Sequence, residues 1–559
     1  MGDRRHFEGY YFERRHNLRY LMFAELIENK GRFMDQIMNG LWAICEESSW
    51  CISAHINAQK IGRDLPDPDE EIVDLFAAQT GQLLAWLDYL LNEKLDEVST
   101  VLRKRLQLEV KRRILNPNFE RTDFTWMGFK FREHGGRRPN NWNPWINSNW
   151  LACNLLLEKD EQRRVEATHK ALQSIDNFLT PHPADGGCDE GPGYWNHAAG
   201  SMFDALELMY ISTDGKFDVY DEPIIRNMGT FIYKAYISYP YFLNFADANA
   251  KIRFNGPHVY RYGTRISDEP LRQFGAFGRD LLTIDDISLE RNVGRHLFLY
   301  SQLEEIYNYQ KKEVLVRDAW LPDIQVMVAR AKEGTSDGIL LAAKGGHNQE
   351  SHNHNDIGNF IIYVDGEPAI MDAGRGTYTS MTFSNKRYTL WFNNSAHHNI
   401  PQINGIMQAP GRAFEASDVS YKASKSRVTF SLDLAKTYLK EAGVQSLSRT
   451  FSYQRKSGVD LTDKYLLKSA ADDIRMHLMT VCRVEETGDH TFVLRSIVDN
   501  RPLLEVNYDK NFEFSVEKMP MDLREDKRIM EFWGEDIYRI VLVDDNPGAK
   551  GSYTIKFEQ

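Results

Sequence analysis

The strongest chemical signal in the chain is a concentration of histidines in its second half. The segment GGHNQESHNHNDIGNF contains His347, His352 and His354, and the segment NNSAHHNI contains His397 and His398. If HNHN is extended, strand alternation places His352 and His354 on one face. Two imidazoles on one face suit either proton transfer or metal binding. The alternative is a set of polar loop residues that only satisfy one another's hydrogen bonds. Five of the chain's 16 histidines in so short a stretch favour a functional site.

A carboxylate is predicted to return to the same end of the sheet as these histidines. The apolar runs NFIIYV and PAIMDA flank Asp365-Gly366, a strong signal for a two-residue hairpin turn, and Asp372 ends the second hairpin arm. Histidine, carboxylate and histidine from three separate segments would suit a tetrahedral zinc ion with one open or water-filled position. The spacing alone leaves metal binding and proton transfer as alternatives.

Two further segments with candidate functional side chains lie in the first half. The segment HPADGGCDEGPGYWNHAAG contains Asp189, Glu190 and Tyr194, and its glycines and proline predict a loop. Loops on rigid scaffolds often carry binding and catalytic residues, although Asp-Gly and Gly-Pro are also ordinary turn sequences. The segment PNNWNPWINSNWLACNLL, which contains Asn149, is an aromatic and Asn-rich loop that enters a helix.

The elements that must position these residues change character along the chain. Up to about residue 310 the apolar residues have the period of helices, as in EIVDLFAAQTGQLLAWLDYLLNEKL. After about residue 320 the period is two, as in NFIIYVDGEPAIMDAG, SRVTFSLDLA and YRIVLVDD. We therefore predict stacked helical hairpins over residues 1–315 and an antiparallel β-sandwich over residues 316–559, joined within YNYQKKEVLVRD.

Composition restricts the partners and the location. The net charge of −12 excludes a protein whose whole surface binds nucleic acid, so a polyanionic substrate would need a locally basic site.

No run has the length of a membrane span, and the start MGDRRHFEGYYFERRH lacks the apolar core of a signal peptide. Five scattered cysteines without C-x-x-C spacing predict no disulfides. We expect a cytoplasmic protein, or a secreted or periplasmic one if a signal peptide has been removed. A homo-oligomer is left open.

These segments together resemble the heparinase II/III-like polysaccharide lyases. The resemblance rests on DGGCDEGPGYW, HNHNDIGNFIIYVDGEPAIMDAGRGTYT and SAHHN in this order, and it extends over roughly residues 140 to 410. It implies an N-terminal (α/α) toroid, an incomplete barrel of helical hairpins, followed by a C-terminal antiparallel β-sandwich. It also implies a substrate that is an acidic oligosaccharide or polysaccharide.

The resemblance implies roles for individual residues. Tyr194 matches the toroid tyrosine that takes part in proton transfer, and His352 matches the histidine that the sandwich domain contributes. Asn149 stands where the family has an Asn or His that neutralises the substrate carboxylate, and Glu190 matches an acidic position in the tyrosine loop.

The family also holds a zinc ion, usually regarded as structural. Its ligands match His354, Asp372 and either His397 or His398. His398 is preferred because the family tends to place this histidine directly before an Asn, and Asn399 follows here.

Elimination at a uronate needs a base for the C5 proton, an acid for the C4 oxygen and a group that neutralises the carboxylate. Asn149, aided by Glu190, would neutralise the carboxylate. We expect Tyr194 to be the acid and His352 or a second tyrosine to be the base. Tyr388 is the candidate for the second tyrosine, with Tyr378 as the alternative.

Substrate contacts are predicted at flat aromatic and cationic side chains. Trp150 and Trp195 are candidates for sugar stacking, although large aromatic residues are also common in cores. Arg253 and Arg261 lie in ADANAKIRFNGPHVYRYGTR, a loop-like stretch that could meet the substrate charge.

Two other functions remain alternatives at this point. The first is a glycoside hydrolase on a helical toroid, acting on uronate oligosaccharides with Asp189 or Glu190 in a carboxylate pair. The second is a zinc-stabilised carbohydrate-binding protein without catalytic activity. A hydrolase would leave the histidine-rich segments without a role.

Overall fold

The computed structural model describes residues 4–63, 65–136, 138–283 and 290–559. The chain divides into two compact units, each built from three stretches of sequence. We call the first the helical unit; it comprises Met1–His182, Asn196–Gly229 and Phe254–Lys312. We call the second the sheet unit; it comprises Pro183–Trp195, Thr230–Arg253 and Glu313–Gln559.

The first half of the chain forms amphipathic helices that pack as consecutive pairs. The helices are α1 (Arg4–Glu28), α2 (Met34–Cys45), α3 (Leu75–Val98), α4 (Thr100–Val110), α5 (Asn116–Glu120), α6 (Phe129–His134), α7 (Trp142–Leu157), α8 (Glu161–Leu179), α9 (Ala199–Ser212), α10 (Pro223–Lys234), α11 (Gly256–Arg265), α12 (Glu269–Arg279) and α13 (Val293–Asn308). The pairs α1–α2, α3–α4, α7–α8 and α11–α12 are in contact, as expected for helical hairpins.

Capping and apolar spacing explain where α3 begins and which face it buries. The Asp74 side chain accepts hydrogen bonds from the backbone N–H groups of Phe76 and Ala77, and so satisfies donors that a helix start leaves unpaired. Leu83, Leu87 and Leu91 then recur every four residues, and all three are buried. A four-residue repeat keeps the side chains on one face, which is why this stretch is helical.

The sheet unit is antiparallel. Its strands are β1 (Tyr236–Ser238), β2 (Tyr241–Phe242), β3 (Asp318–Leu321), β4 (Val326–Arg330), β5 (Ile339–Lys344), β6 (His347–Asn348), β7 (Phe360–Val364), β8 (Glu367–Ile370), β9 (Pro401–Ile403), β10 (Gly411–Glu415), β11 (Ser417–Ala423), β12 (Arg427–Asp433), β13 (Val444–Gln454), β14 (Gly458–Leu467), β15 (Ile474–Thr480), β16 (Arg483–Gly488), β17 (Thr491–Arg495), β18 (Pro502–Asn507), β19 (Glu513–Lys518), β20 (Tyr538–Asp544) and β21 (Lys550–Glu558). A short helix, α14 (Lys527–Trp533), precedes β20.

Three of the sheets enclose the apolar core. The orders are β11-β12-β13-β14-β21-β18-β17-β16, β3-β4-β5-β7-β8 and β19-β20-β15-β9, and short two-stranded pairs join β10 to β6 and β1 to β2. Phe360 of the five-stranded sheet packs edge-on against Phe451 and Phe557 of the eight-stranded sheet. All three rings are fully buried, so the sheets face each other as in a sandwich.

The predicted hairpin at Asp365-Gly366 is confirmed. Strands β7 and β8 pair with Val364 opposite Glu367, and the two turn residues have φ angles of 52° and 84°. Positive φ at both positions is what a tight turn between right-twisted strands requires. The turn places Asp372 two residues after β8.

The boundary between the units differs from the predicted one. The last boundary between the helical unit and the sheet unit lies between Lys312 and Glu313, whereas we predicted it between residues 315 and 316. The sheet unit also includes Pro183–Trp195 and Thr230–Arg253 from the first half of the chain. Hydrogen bonds explain this assignment. The Asp185 carboxylate accepts from the Asp323 backbone N–H at 2.7 Å, and the Asn244 side chain donates to the Asp372 carbonyl at 2.7 Å.

Within the described ranges, no helix combines the length and apolar character that crossing a membrane would require. The five cysteines are buried free thiols.

The Asp365-Gly366 turn leads to a stability prediction. A Cβ on Gly366 would meet the Ser238 hydroxyl at 3.0 Å in a left-handed backbone conformation, so Gly366→Ala should destabilise the protein by about 1–3 kcal/mol. Gly488→Ala is the matched control, because a Cβ there has open space and no left-handed strain. Denaturant unfolding of both variants tests this. Equal stability of the two variants would show that the turn tolerates a side chain.

Candidate active site

The site in the sheet unit is organised around the buried carboxylate of Asp247. Arg387 donates to it at 2.7 Å, and the Tyr378 hydroxyl donates to it at 3.2 Å. His352 Nδ1 lies 2.7 Å from the same carboxylate and His354 Nε2 lies 3.0 Å from it. Burial raises the pKa of Asp247, but the two histidine hydrogen bonds and the Arg387 charge outweigh it, so its pKa is well below the usual range.

The HNHN segment forms a loop between β6 and β7 and not a strand. His352 has a φ of 57°, which is incompatible with extended backbone. The Arg387 guanidinium fixes the loop by donating to the backbone carbonyls of His352 and Asn353, both at 2.8 Å. The prediction that HNHN is extended, with His352 and His354 on one strand face, is therefore wrong. The two imidazoles nevertheless meet, because both reach Asp247.

Two tyrosines lie against His352. The hydroxyl oxygens of Tyr194 and Tyr378 are 2.5 Å apart, and the Tyr378 hydroxyl is 3.1 Å from His352 Nδ1. The Tyr194 ring is centred 5.1 Å from the His352 ring. Tyr388 instead accepts a hydrogen bond from the Asn353 side chain at 3.1 Å. Of the two candidates for the second tyrosine, it is therefore Tyr378 whose hydroxyl contacts both Tyr194 and His352.

The surroundings set the protonation of these groups. Burial raises the pKa of Tyr194, while the Arg375 charge opposes the shift. Burial also raises the pKa of Tyr378, and the Asp247 charge adds to it. Burial lowers the pKa of His352, but the Asp247 hydrogen bond and the Glu190 charge reverse the direction, so the pKa is raised overall. Both phenols are therefore protonated at neutral pH, and the imidazole is a stronger base than usual.

Ser351 connects the tyrosine loop to the HNHN loop. Its backbone N–H donates to Asp189 at 3.0 Å, and its hydroxyl donates to Glu190 at 2.8 Å. The Glu190 carboxylate is buried and lies 3.7 Å from His352 Nε2. Asp189 and Glu190 thus both accept hydrogen bonds from the residue that precedes His352.

A second group of side chains could hold a metal ion. His354, Asp372 and His398 are fully buried, and each offers one ligand atom within 4.8 Å of the others. Each imidazole has one ring nitrogen at a carboxylate: His354 at Asp247 and His398 at Asp372, both at 3.0 Å. The other nitrogens, Nδ1 of His354 and Nε2 of His398, are buried and have no hydrogen-bond partner among the described residues.

This donor set fits a zinc ion. Buried nitrogen lone pairs without a partner are costly, and a metal ion would satisfy them. Carboxylates that orient ligating histidines are also typical of zinc sites. His397 faces other partners, Asn394 at 3.0 Å and Arg539 at 3.2 Å, so the structure brings together the preferred set with His398.

Some predicted site residues lie in the helical unit. Asn149 is buried on α7, where its amide donates to the Trp145 carbonyl at 2.6 Å and its side-chain oxygen has no partner among the described residues. Trp150 on the same helix is fully buried, and Arg261 is buried in an ion pair with Glu207. Sugar stacking at Trp150 and substrate binding at Arg261 are therefore wrong, because neither side chain presents a free surface.

The two remaining substrate-binding candidates belong to the sheet unit. Trp195 is 1% exposed, which also rules out sugar stacking. Arg253 is exposed, and its role in substrate binding stays a prediction.

The sequence did not single out Asp247 or the role of Arg387. Asp247 stands in NFADANAK without a neighbouring histidine or a motif, and its partners are more than a hundred residues away. The only local signal is the small residue on each side, and Ala246 has a φ of 58° in the structure. In the structure Arg375 lies over the Tyr378 ring at 4.6 Å and donates to Asn249 at 3.1 Å.

Comparisons with known proteins fit this architecture. No curated protein matches the chain. Residues 315–532 match the family described as heparinase II/III-like, C-terminal. Similar solved structures include a mutant of heparan sulfate lyase HepC from Pedobacter heparinus, with a TM-score of 0.65 and 10% identity over 97% of this chain and 75% of that chain.

Two other solved structures show the same likeness. A heparinase III has a TM-score of 0.64 and 13% identity over 96% of this chain and 75% of that chain. The chondroitin AC lyase of Streptomyces coelicolor A3, in complex with chondroitin sulphate, has a TM-score of 0.53 and 10% identity over 95% and 71% of the respective chains.

At these identities the likeness shows a shared fold. It confirms the predicted class, an N-terminal (α/α) toroid followed by a C-terminal antiparallel β-sandwich. The family match itself is confined to residues 315–532 of the sheet unit, which are similar to the C-terminal part of heparinase II/III-like proteins.

Proposed function

We propose that the protein is a lyase that cleaves uronate-containing glycans by β-elimination. The observation that carries this proposal is the contact among Tyr194, Tyr378 and His352, with His352 oriented by Asp247. A hydroxyl donor and a basic imidazole side by side are what an elimination needs. The similar structures support the proposal, since they include a heparan sulfate lyase and a chondroitin AC lyase.

His352 has the arrangement of a general base. Asp247 is ionised and can only accept hydrogen bonds, so His352 Nδ1 carries the proton between them. The lone pair of the neutral ring is then at Nε2, which would take the C5 proton of the uronate. The imidazolium that forms is stabilised by Asp247 at 2.7 Å and by Glu190 at 3.7 Å.

Tyr194 has the arrangement of a general acid. Burial keeps its hydroxyl protonated, and Tyr378 holds that hydroxyl at 2.5 Å. The proton would pass from Tyr194 to the C4 oxygen as the bond to C4 breaks. The phenolate left behind is stabilised by the charge of Arg375, which lowers the pKa of Tyr194 against the effect of burial.

The substrate carboxylate must be neutralised before C5 becomes acidic enough to lose its proton. Asn149 remains our candidate from the family resemblance. Its amide nitrogen has two N–H groups, and the Trp145 carbonyl accepts from that nitrogen at 2.6 Å, so one N–H can remain for a ligand.

The hydrolase alternative has weaker support. A glycosidase needs two carboxyl groups on opposite sides of the scissile bond. Asp189 and Glu190 are adjacent in the chain and both accept hydrogen bonds from Ser351. That arrangement supports a structural and electrostatic role for the pair, and it leaves the two tyrosines unexplained.

We also propose that His354, Asp372 and His398 bind a structural zinc ion. When bound, zinc would supply a fixed cross-link between the HNHN loop, the end of β8 and the SAHHN segment. His354 also contacts Asp247, so a fixed His354 would help to hold the carboxylate that orients His352.

The elimination predicts an unsaturated product that absorbs ultraviolet light. Wild-type protein should raise that absorbance with heparan, chondroitin, hyaluronan, alginate or glucuronan oligosaccharides. Tyr194→Phe should lower kcat by about 10²–10⁴-fold, because it removes the acid. Tyr378→Phe should lower kcat as well, since it removes the group that holds the Tyr194 hydroxyl.

Tyr421→Phe is the matched control. Its hydroxyl is buried in the sheet unit without a hydrogen-bond partner among the described residues, so activity should not change. A lack of ultraviolet absorbance on every substrate would reject the lyase proposal. A loss in Tyr388→Phe but not in Tyr378→Phe would return the second tyrosine to Tyr388.

The zinc proposal predicts metal content. Purified wild-type protein should contain about one zinc per chain, and His354→Ala and His398→Ala should each lose it and melt at a lower temperature. His397→Ala should retain the metal, because His397 contacts Asn394 and Arg539 instead. Elemental analysis and thermal unfolding measure both effects. Equal zinc in His354→Ala and wild type would contradict the assignment.

A further inference from the structure

The sheet unit exposes an aromatic ring directly beside the proposed base. Phe383 lies in the segment after β8 and is 65% exposed, more than any other phenylalanine in the described part of the chain. Its ring centroid is 5.8 Å from that of His352 and 5.0 Å from that of Tyr378. Phenylalanine is usually buried, because its apolar surface is unfavourable in water. The ring therefore offers an open apolar surface at the edge of the proposed site.

Hydrogen bonds fix the loop that carries Phe383. The Thr379 backbone N–H donates to the Thr382 hydroxyl at 3.0 Å, and the Thr382 N–H donates to the Thr379 carbonyl at 3.1 Å. Arg387 donates to the Thr382 carbonyl at 3.0 Å and to the His352 carbonyl at 2.8 Å. One guanidinium thus holds the backbone of His352 and of the residue before Phe383. The place of the ring beside the base is set by the two backbone segments that Arg387 joins.

Phe383 contacts the proposed base and not the proposed acid. Its ring contacts are with His352 and Tyr378, and none of them is with Tyr194 among the described residues. The Tyr194 ring lies against His352 instead, with the centroids 5.1 Å apart. His352 is mostly buried, but 12% of its side chain is exposed, so a ligand can reach it. A substrate that reaches the imidazole would therefore meet the Phe383 ring next to it.

An open phenyl ring suits the apolar side of a sugar. The C–H bonds on one side of a pyranose are apolar and slightly positive, and the face of an aromatic ring is negative. Ligand sites commonly combine such apolar surfaces with a few polar groups that fix the orientation of the ligand. A sugar packed on Phe383 would keep its hydroxyls free for polar partners and would stay next to His352. Trp150 and Trp195 cannot provide this contact, because both are buried.

We infer that Phe383 is a substrate-binding residue, on which a sugar ring of the glycan packs beside the base. The ring makes this contact equally in the bound substrate and in the transition state, so it contributes to affinity and not to proton transfer. The inference rests on the proposed function, because that function assigns His352 as the base and a glycan as the ligand.

Steady-state kinetics of Phe383 variants test the inference, with tetrasaccharides of heparan, chondroitin, hyaluronan, alginate and glucuronan. On the tetrasaccharide that the wild type cleaves fastest, Phe383→Ala should raise KM by about two- to tenfold with kcat almost unchanged, as expected for loss of one aromatic packing contact. Phe383→Tyr keeps the ring and should retain the wild-type KM, whereas Phe383→Leu keeps only apolar character and should not. Phe7→Ala is the matched control, because Phe7 is a 49% exposed phenylalanine of the helical unit. It should change neither constant.

The pH dependence of kcat separates substrate binding from mere support of His352. Phe383→Ala should keep the wild-type pH profile. An unchanged KM, with or without a lower kcat and a shifted profile, would overturn the inference.

Calorimetric titration of wild type and Phe383→Ala with the same tetrasaccharides measures binding without turnover. Weaker binding by Phe383→Ala, with no unsaturated product from the wild type, would contradict only the proposed function. Product formation with equal binding by both proteins would contradict only the role of Phe383. A wild type that neither binds nor cleaves any of the tetrasaccharides would overturn both.

Discussion

The ionised Asp247 carboxylate holds the candidate active site together. Four side chains from the HNHN loop and from the segment after β8 donate to it. Removing one partner of a buried charged network commonly costs several kcal/mol, because the others are left uncompensated. The same carboxylate selects the tautomer of His352 and contacts the proposed metal ligand His354. In the proposed mechanism, the orientation of the base and the support of the metal site would both depend on this one residue.

Sequence periodicity predicted the two kinds of architecture well, because burial imposes a period of about four residues on helices and two on strands. The Asp365-Gly366 turn was equally visible, since positive φ at two successive positions restricts the residues that fit. Within the site, the histidines, Asp372 and the tyrosine loop were predicted from local composition and from the family resemblance. Histidine, aspartate and tyrosine side chains can transfer protons or bind metal ions, so these residues could be chosen by their chemistry alone.

What the sequence did not reveal were the long-range partners. Asp247 has no histidine or motif beside it in the sequence, because its importance arises from side chains that folding brings near it. The choice between Tyr378 and Tyr388 could not be made from spacing, since both follow Asp372 in an irregular stretch. Trp150, Trp195 and Arg261 were assigned to the substrate because their types suit sugars, but burial uses the same types for packing and ion pairs. The type of a side chain shows which ligands it could bind, but only the folded structure shows whether a ligand can reach it.

The sheet unit takes two stretches from the first half of the chain, and this has a consequence for how the protein is made. Synthesis is vectorial, and domains generally fold as their sequence emerges from the ribosome. Tyr194 and Asp247 are synthesised long before His352, Tyr378 and Arg387. Their loops therefore lack these partners while the rest of the helical unit, Phe254–Lys312, is synthesised. The proposed proton-transfer site can form only after the β-strands have been made. A nascent chain that ends at the helical half therefore has Tyr194 and Asp247 but lacks His352 and Tyr378.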